Sequence, residues 1–211
     1  SPGNGNNPFG SINGDVYIDG DLTIPAGTNI QINDMTFYFS PGSKLIVERG
    51  NTNSNTNGAR LALNNTTLTV DDRCSKNAMW NGVQVRGYNT QNQSPLSTTN
   101  QGWLRMFNNS RIEHAYIGVA TTIYDSQSNF PFRPGQFDFS ATGGIIQVSN
   151  STFYNNRQDI LLQGYQAPNG NDNLMYARNC EFITDGLLND VSVYPLGHIT
   201  SISNVGLDLF G

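Results

Sequence analysis

Five segments of this chain superimpose on a single asparagine, and no other feature limits its fold as strongly. They read LALNNTTL (61–68), RMFNNSRI (105–112), IQVSNSTF (146–153), MYARNCEF (175–182) and TSISNVGL (200–207). Leu63, Phe107, Val148, Ala177 and Ile202 stand two residues before the asparagine, which is Asn65, Asn109, Asn150, Asn179 or Asn204. Thr66, Ser110, Ser151, Cys180 and Val205 follow it, and Leu68, Ile112, Phe153, Phe182 and Leu207 lie three after it. Four slots held over five copies mark a repeat architecture.

The unit reads as strand, bend, strand. Alternation before the asparagine puts every second side chain on one face. Asparagine tolerates left-handed backbone and bonds locally, so it suits the bend. Bends stacked in successive coils line up their amides into a ladder. The runs Gly82-Val83-Gln84-Val85, Gly118-Val119, Asp159–Leu162 and Gly186-Leu187-Leu188 then supply a third strand to each coil. Successive asparagines are 44, 41, 29 and 25 residues apart, whereas a minimal repeat needs roughly 20–25. The excess is expected to leave as loops at one corner: 88–101, 122–142, 164–173 and 189–197. Upstream, Val16, Ile18, Leu22, Ile24, Ile30, Ile32, Phe37, Phe39, Leu45 and Val47 alternate with polar residues. The expected fold is all-β, a single-stranded right-handed parallel β-helix over residues 12–211, preceded by a flexible arm or linker at 1–11. No polar cap follows the last repeat, so the coil is expected to be a fragment, or open-ended toward a longer assembly or an end-to-end protein partner.

Composition narrows the function classes. Asn, Gly, Ser and Thr number 29, 22, 17 and 17, and only 13% of residues are charged, against about 25% in ordinary domains. With a net charge of −5 and two lysines, the chain has no basic patch for duplex nucleic acid. It has no apolar run long enough for a membrane helix. A neutral-polar, lysine-poor surface points to an extracellular setting, secreted or on a bacterial cell surface. Cys74 and Cys180 are read as separate thiols, one in a loop and one filling a core slot, with a disulfide as the alternative.

Three stretches carry a family resemblance: PGSKLIV (41–47), continued after the loop by GARLAL (58–63), then MWNGVQVRG (79–87) and NNSRIEHAYIGV (108–119). They resemble the right-handed parallel β-helix repeats of the pectin-lyase-like superfamily, in the style of large secreted bacterial surface proteins, including cargo of type IX secretion. The resemblance implies the fold. It leaves function open, because this superfold carries lyases, hydrolases, adhesins and inert stalks.

Enzymes that the chain resembles use a Lys or Arg base beside calcium-binding carboxylates, or several aspartates with a histidine. Here Asp71 and Asp72 are the best acidic pair, but neighbours on a strand point to opposite faces; a solvated turn beside Cys74 is the competing reading. Asp19 and Asp21 share a strand face and have the oxygen chemistry calcium takes, yet Gly20 between them reads as a turn, so no metal or cofactor is expected. His114 and His198 read as structural. The longest loop gathers Tyr124, Phe130, Phe132, Arg133 and Phe137, with Phe139 beside them, a set suited to stacking on sugar rings or to stapling a long loop to its flank. The expectation is a non-catalytic extracellular module for adhesion or contact with a polysaccharide or cell-surface glycan. A polysaccharide lyase or glycoside hydrolase, and a purely structural segment of a filament or secreted cargo protein, are the alternatives.

Overall fold

The computed structural model describes residues 14–73, 76–124, 137–165, 173–190, 197–202 and 208–210. They wind through six coils of three strands each. The first coil is β1 (Asp15–Ile18), β2 (Leu22–Ile24) and β3 (Asn29–Asn33); the second is β4 (Thr36–Phe39), β5 (Leu45–Val47) and β6 (Arg60–Asn64). The third is β7 (Thr67–Val70), β8 (Val83–Val85) and β9 (Trp103–Phe107). The fourth, β10 (Arg111–Glu113) and β11 (Val119–Ala120), is interrupted by the hairpin strands β12 (Ile123–Tyr124) and β13 (Phe137–Asp138) before β14 (Ile145–Ser149) completes it. The fifth is β15 (Thr152–Tyr154), β16 (Gln158–Gln163) and β17 (Tyr176–Arg178); the sixth is β18 (Glu181–Ile183), β19 (Gly197–Ile202) and β20 (Asp208–Phe210).

Each strand pairs only with its counterparts in adjacent coils. Sheet A runs β1-β4-β7-β10-β15-β18, sheet B runs β2-β5-β8-β11-β16-β19, and sheet C runs β3-β6-β9-β14-β17-β20. Every pairing within them is parallel, so the chain is a parallel β-helix; the β12–β13 hairpin alone pairs antiparallel among the described strands. Period-two alternation sends one set of side chains into the shared interior. There they stack in register: Phe37, Leu68, Ile112, Phe153 and Phe182 in sheet A, and Leu45, Val83, Val119 and Ile160 in sheet B. Leu61, Leu104 and Ile146 do the same in sheet C. All but Phe182 are buried. Trp80 fills the space beside sheet A, stacked on Phe39 at 4.5 Å, and its indole N–H donates to the Glu113 carbonyl.

The bend between sheets C and A is the asparagine corner. Asn65, Asn109, Asn150 and Asn179 all have φ between 47 and 64°. Asp34, at φ 55°, fills the same place one coil earlier and accepts from the Asn65 amide at 2.7 Å. A second column runs beside the first: Asn64 donates to Asn33, and Asn108 to Asn64, both at 2.9 Å. Thr66, Ser110 and Ser151 bond backbone carbonyls with their hydroxyls.

Four expectations change. Asn108 is an extra residue in its bend, so Met106, not Phe107, lies in register with Leu63 and Val148. Asn204 lies outside the described residues, and Ile202 before it pairs with Gln163 in sheet B, while the partner of Ala177 is Leu209. The described part of TSISNVGL, residues 200–202, thus runs in sheet B rather than in sheet C. Gly186-Leu187-Leu188 is not a strand; Leu187 is 84% exposed, and β19 is the sheet B strand of that coil. The connections 86–102, 121–144 and 164–175 leave from the corner between sheets B and C, as expected, and the connection 48–59 leaves there too. The connection containing 189–197 leaves instead between sheets A and B, as does 71–82.

Candidate functional site

The outer face of sheet B is closed in its middle coils. Its outward side chains there are Gln84, Ala120 and Leu161, all buried. Tyr124 from the hairpin packs with Ile117, Ala120 and Leu161. Its hydroxyl donates to the Asn81 carbonyl, and its own carbonyl accepts from the Gln84 amide. Burial pushes the Tyr124 hydroxyl far above the ordinary tyrosine range. Tyr124 was expected among the ligand-contacting rings; at 3% exposure it has no ring face to offer and works as a staple. Phe137 lies on β13 in register with Tyr124. Phe130, Phe132 and Arg133 lie outside the described residues.

The outer face of sheet A carries a run of charged and phenolic side chains. Tyr17 and Tyr38 stack at 4.9 Å, and the Arg73 guanidinium covers the Tyr17 ring at 3.6 Å. Arg111 pairs with Glu113 at 2.6 Å and lies over the Tyr154 ring at 4.2 Å. Tyr154 donates its hydroxyl to Asp185 at 2.9 Å, and the Asn155 amide donates to the other oxygen of that carboxylate. These two donors hold the Asp185 carboxyl below the usual range. Asp71 accepts from the Arg73 backbone N–H and from two guanidinium nitrogens, which lowers it in the same way. Asp72 is exposed beside it. Glu113, Asp71 and Asp185 are thus each engaged by neighbouring donors. A general acid needs the opposite, a carboxyl held protonated near neutrality.

The corner between sheets B and C holds an open cleft of about 680 Å³, lined among others by Thr23, Arg49, Asn51, Asn53 and Tyr88. Its volume is within the ordinary range of ligand sites. Arg49 lies over the Tyr88 ring at 4.4 Å and donates to the carbonyls of Gly87 and Ser140. Tyr88 donates its hydroxyl to the Gly50 carbonyl at 2.9 Å. Glu48, at the edge, is paired with Arg86. Behind the cleft, Gln101 bonds Tyr88 at both its N–H and its carbonyl, and Gln93 bridges Gly143 to Leu174, so the connection 86–102 is pinned to its neighbours. Asn51, Thr52 and Asn53 are exposed on this rigid support, and the Asn51 amide oxygen accepts from the backbone N–H groups of Asn53 and Ser54, which holds the loop in shape.

No protein family matches the chain, and neither does any curated protein or solved structure.

The remaining candidates fall into place individually. Asp21 pairs with Lys44 at 3.3 Å and accepts from its backbone N–H, while Asp19 is exposed. Among the described residues no three His, Cys, Asp or Glu side chains converge as a metal site. His114 adopts φ 57° at a sheet A corner, edge-on to Tyr154 at 5.8 Å. Cys180 carries a free thiol in the asparagine corner, directed at the Arg178 carbonyl; Cys74 lies outside the described residues. Sequence reasoning passed over Arg49, Asn51 and Asn53, because their run, NTNSNTNG, has the composition of a featureless linker. The signal that finds them is the loop's position, one coil below Tyr88 at the insertion corner.

Proposed function

We propose that this chain is a non-catalytic, extracellular β-helix module that contacts glycans, built on the pectin-lyase-like pattern in the style of secreted bacterial surface proteins such as type IX cargo. The observation that carries the reading is the cleft between sheets B and C, whose walls offer amides, hydroxyls and one guanidinium, the last lying over the Tyr88 ring. Amides and hydroxyls match sugar hydroxyls as both donors and acceptors. The rigid backing means little ordering cost on binding. The absence of catalysis is supported by the engaged carboxylates of sheet A.

The test is incubation with a panel of neutral and acidic polysaccharides, with and without calcium, recording bound protein and released reducing or unsaturated ends together. Binding without product is expected, and Tyr88→Ala together with Asn53→Ala weakens capture of the neutral members at least about tenfold. Product release overturns the reading and turns attention to Glu113 and Asp72. Failure of every polysaccharide to bind leaves the structural role as the better account.

A further inference from the structure

Arg49 supplies the guanidinium in the wall of the cleft between sheets B and C. Its hydrogen bonds to the Gly87 carbonyl at 3.1 Å and the Ser140 carbonyl at 2.9 Å both leave from Nη1. The group lies over the Tyr88 ring at 4.4 Å, and that ring is itself tied through its hydroxyl to the Gly50 carbonyl. Among the described residues Arg49 makes no other hydrogen bond and no ion pair. The Nε–Nη2 edge is therefore fixed in place and unspent. That edge is a side-on fork, which takes a planar carboxylate through two parallel bonds. Neighbouring carboxylates do not occupy it. Glu48 pairs with Arg86, and Asp138 accepts from the Ser140 N–H at 2.9 Å and the Ser140 hydroxyl at 2.6 Å. Those two bonds, with Arg49 and Arg86 acting at longer range, keep the Asp138 carboxyl below the usual range. Thr23, Asn51, Thr52 and Asn53 line the same cleft, and their amides and hydroxyls suit sugar hydroxyls.

We propose that the cleft recognises a single acidic sugar carried on an otherwise neutral glycan, its carboxylate received on the Nε–Nη2 edge of Arg49. The proposal rests on the glycan-contact reading above and names the class of sugar. A guanidinium already held by a ring and two carbonyls loses little freedom when it pairs. One fork serves one carboxylate. A second sugar acid beside the first would meet Glu48 and Asp138 on a molecule of net charge −5, where like charges repel. A densely charged polyuronate is therefore a poorer fit than a neutral oligosaccharide ending in one acid, and so is the phosphate backbone of a nucleic acid.

The experiment is an NMR titration of the full chain with sialyllactose, with lactose as the same glycan lacking the acid, and with polygalacturonate as the densely charged arm. Variants are Arg49→Gln, Arg49→Lys, which keeps the charge without the fork, and Lys76→Gln, an exposed cation outside the cleft lining. Sialyllactose is expected to bind at least about tenfold more tightly than lactose. Arg49→Gln removes that margin while its capture of neutral glycans changes less than about twofold, and Arg49→Lys falls between it and wild type. Lys76→Gln changes either affinity less than about twofold. The proposal is overturned if sialyllactose binds no more tightly than lactose, if Arg49→Gln keeps the margin, or if Lys76→Gln lowers it as much. It is overturned too if Arg49→Gln loses neutral glycans in parallel, which marks a structural role, or if polygalacturonate binds more tightly per sugar acid. Any of these results with neutral polysaccharides still captured by wild type leaves the glycan-contact reading standing. Absence of binding by every glycan, the polysaccharide panel included, ends both.

Discussion

His114 joins two demands at one position. Its φ of 57° favours Asn over any residue with a bulky Cβ, while burial holds the imidazole below its ordinary pKa against the opposing pull of Glu113, Asp72 and Asp185. His114→Asn is expected to keep the turn, and His114→Ala to cost about 1–2 kcal/mol more. The pH dependence follows from linkage. Below about 6.5 the unfolded chain takes up a proton that the folded imidazole still refuses, so stability falls as pH drops from there toward the folded value. Urea unfolding of wild type and His114→Asn at pH 7.5 and 5.5 checks this; equal losses in both proteins would remove His114 from the account. Glycine gives a second contrast. A Cβ on Gly82 would lie 1.6 Å from the Ile117 carbonyl oxygen, whereas one on Gly42, at nearly the same φ, meets nothing within 4 Å. Gly42→Ala is expected to cost about 1 kcal/mol and Gly82→Ala at least ~3 kcal/mol. Similar melting temperatures for the two variants would contradict the coil spacing at that corner.

At the scale of elements, the β12–β13 hairpin and its Tyr124 act as a lid fixed over sheet B. Tyr124→Phe keeps the ring but leaves the Asn81 carbonyl without its hydroxyl donor, an expected cost of about 1–3 kcal/mol. Glycan capture by the folded variant is expected to be unchanged. Weaker capture at unchanged stability would restore Tyr124 to the ligand-contacting set. The sequence displayed the asparagine corner plainly because that corner has a local chemical requirement, a left-handed residue able to bond its neighbour in the next coil. Asp34 met the same requirement with a different letter, and the match to asparagine alone passed it by. Asn108 shifted Phe107 outward by one residue, and only strand pairing reveals an insertion that leaves the motif intact. The cleft was less legible still: Arg49 and Tyr88 are 39 residues apart, and their meeting depends on two loops leaving adjacent coils at one corner.

At the scale of the molecule, stability resides in columns that run through successive coils. Phe153 sits in such a column between Ile112 and Phe182, stacked on the Phe182 ring at 5.3 Å. Phe153→Ala is expected to cost about 3–5 kcal/mol. Because each coil contacts chiefly its neighbours, exchange protection should fall most in coils four to six and least in coils one and two. A uniform fall in all six would show that the solenoid unfolds as one unit.

The backbone hydrogen bonds of all three sheets point along the solenoid axis, and this gives the protein a mechanical character. A pull along the axis loads the bonds of one coil at a time, as in peeling a tape, and each coil that yields releases its stored length. The sheet A column places successive coils 21, 31, 44, 41 and 29 residues apart, about 70 to 150 Å of extended chain per step. The insertions thus set how much slack each rupture releases. Stretched between its two ends, the chain is expected to give a staircase of unequal extensions, with its middle coils paying out the most line.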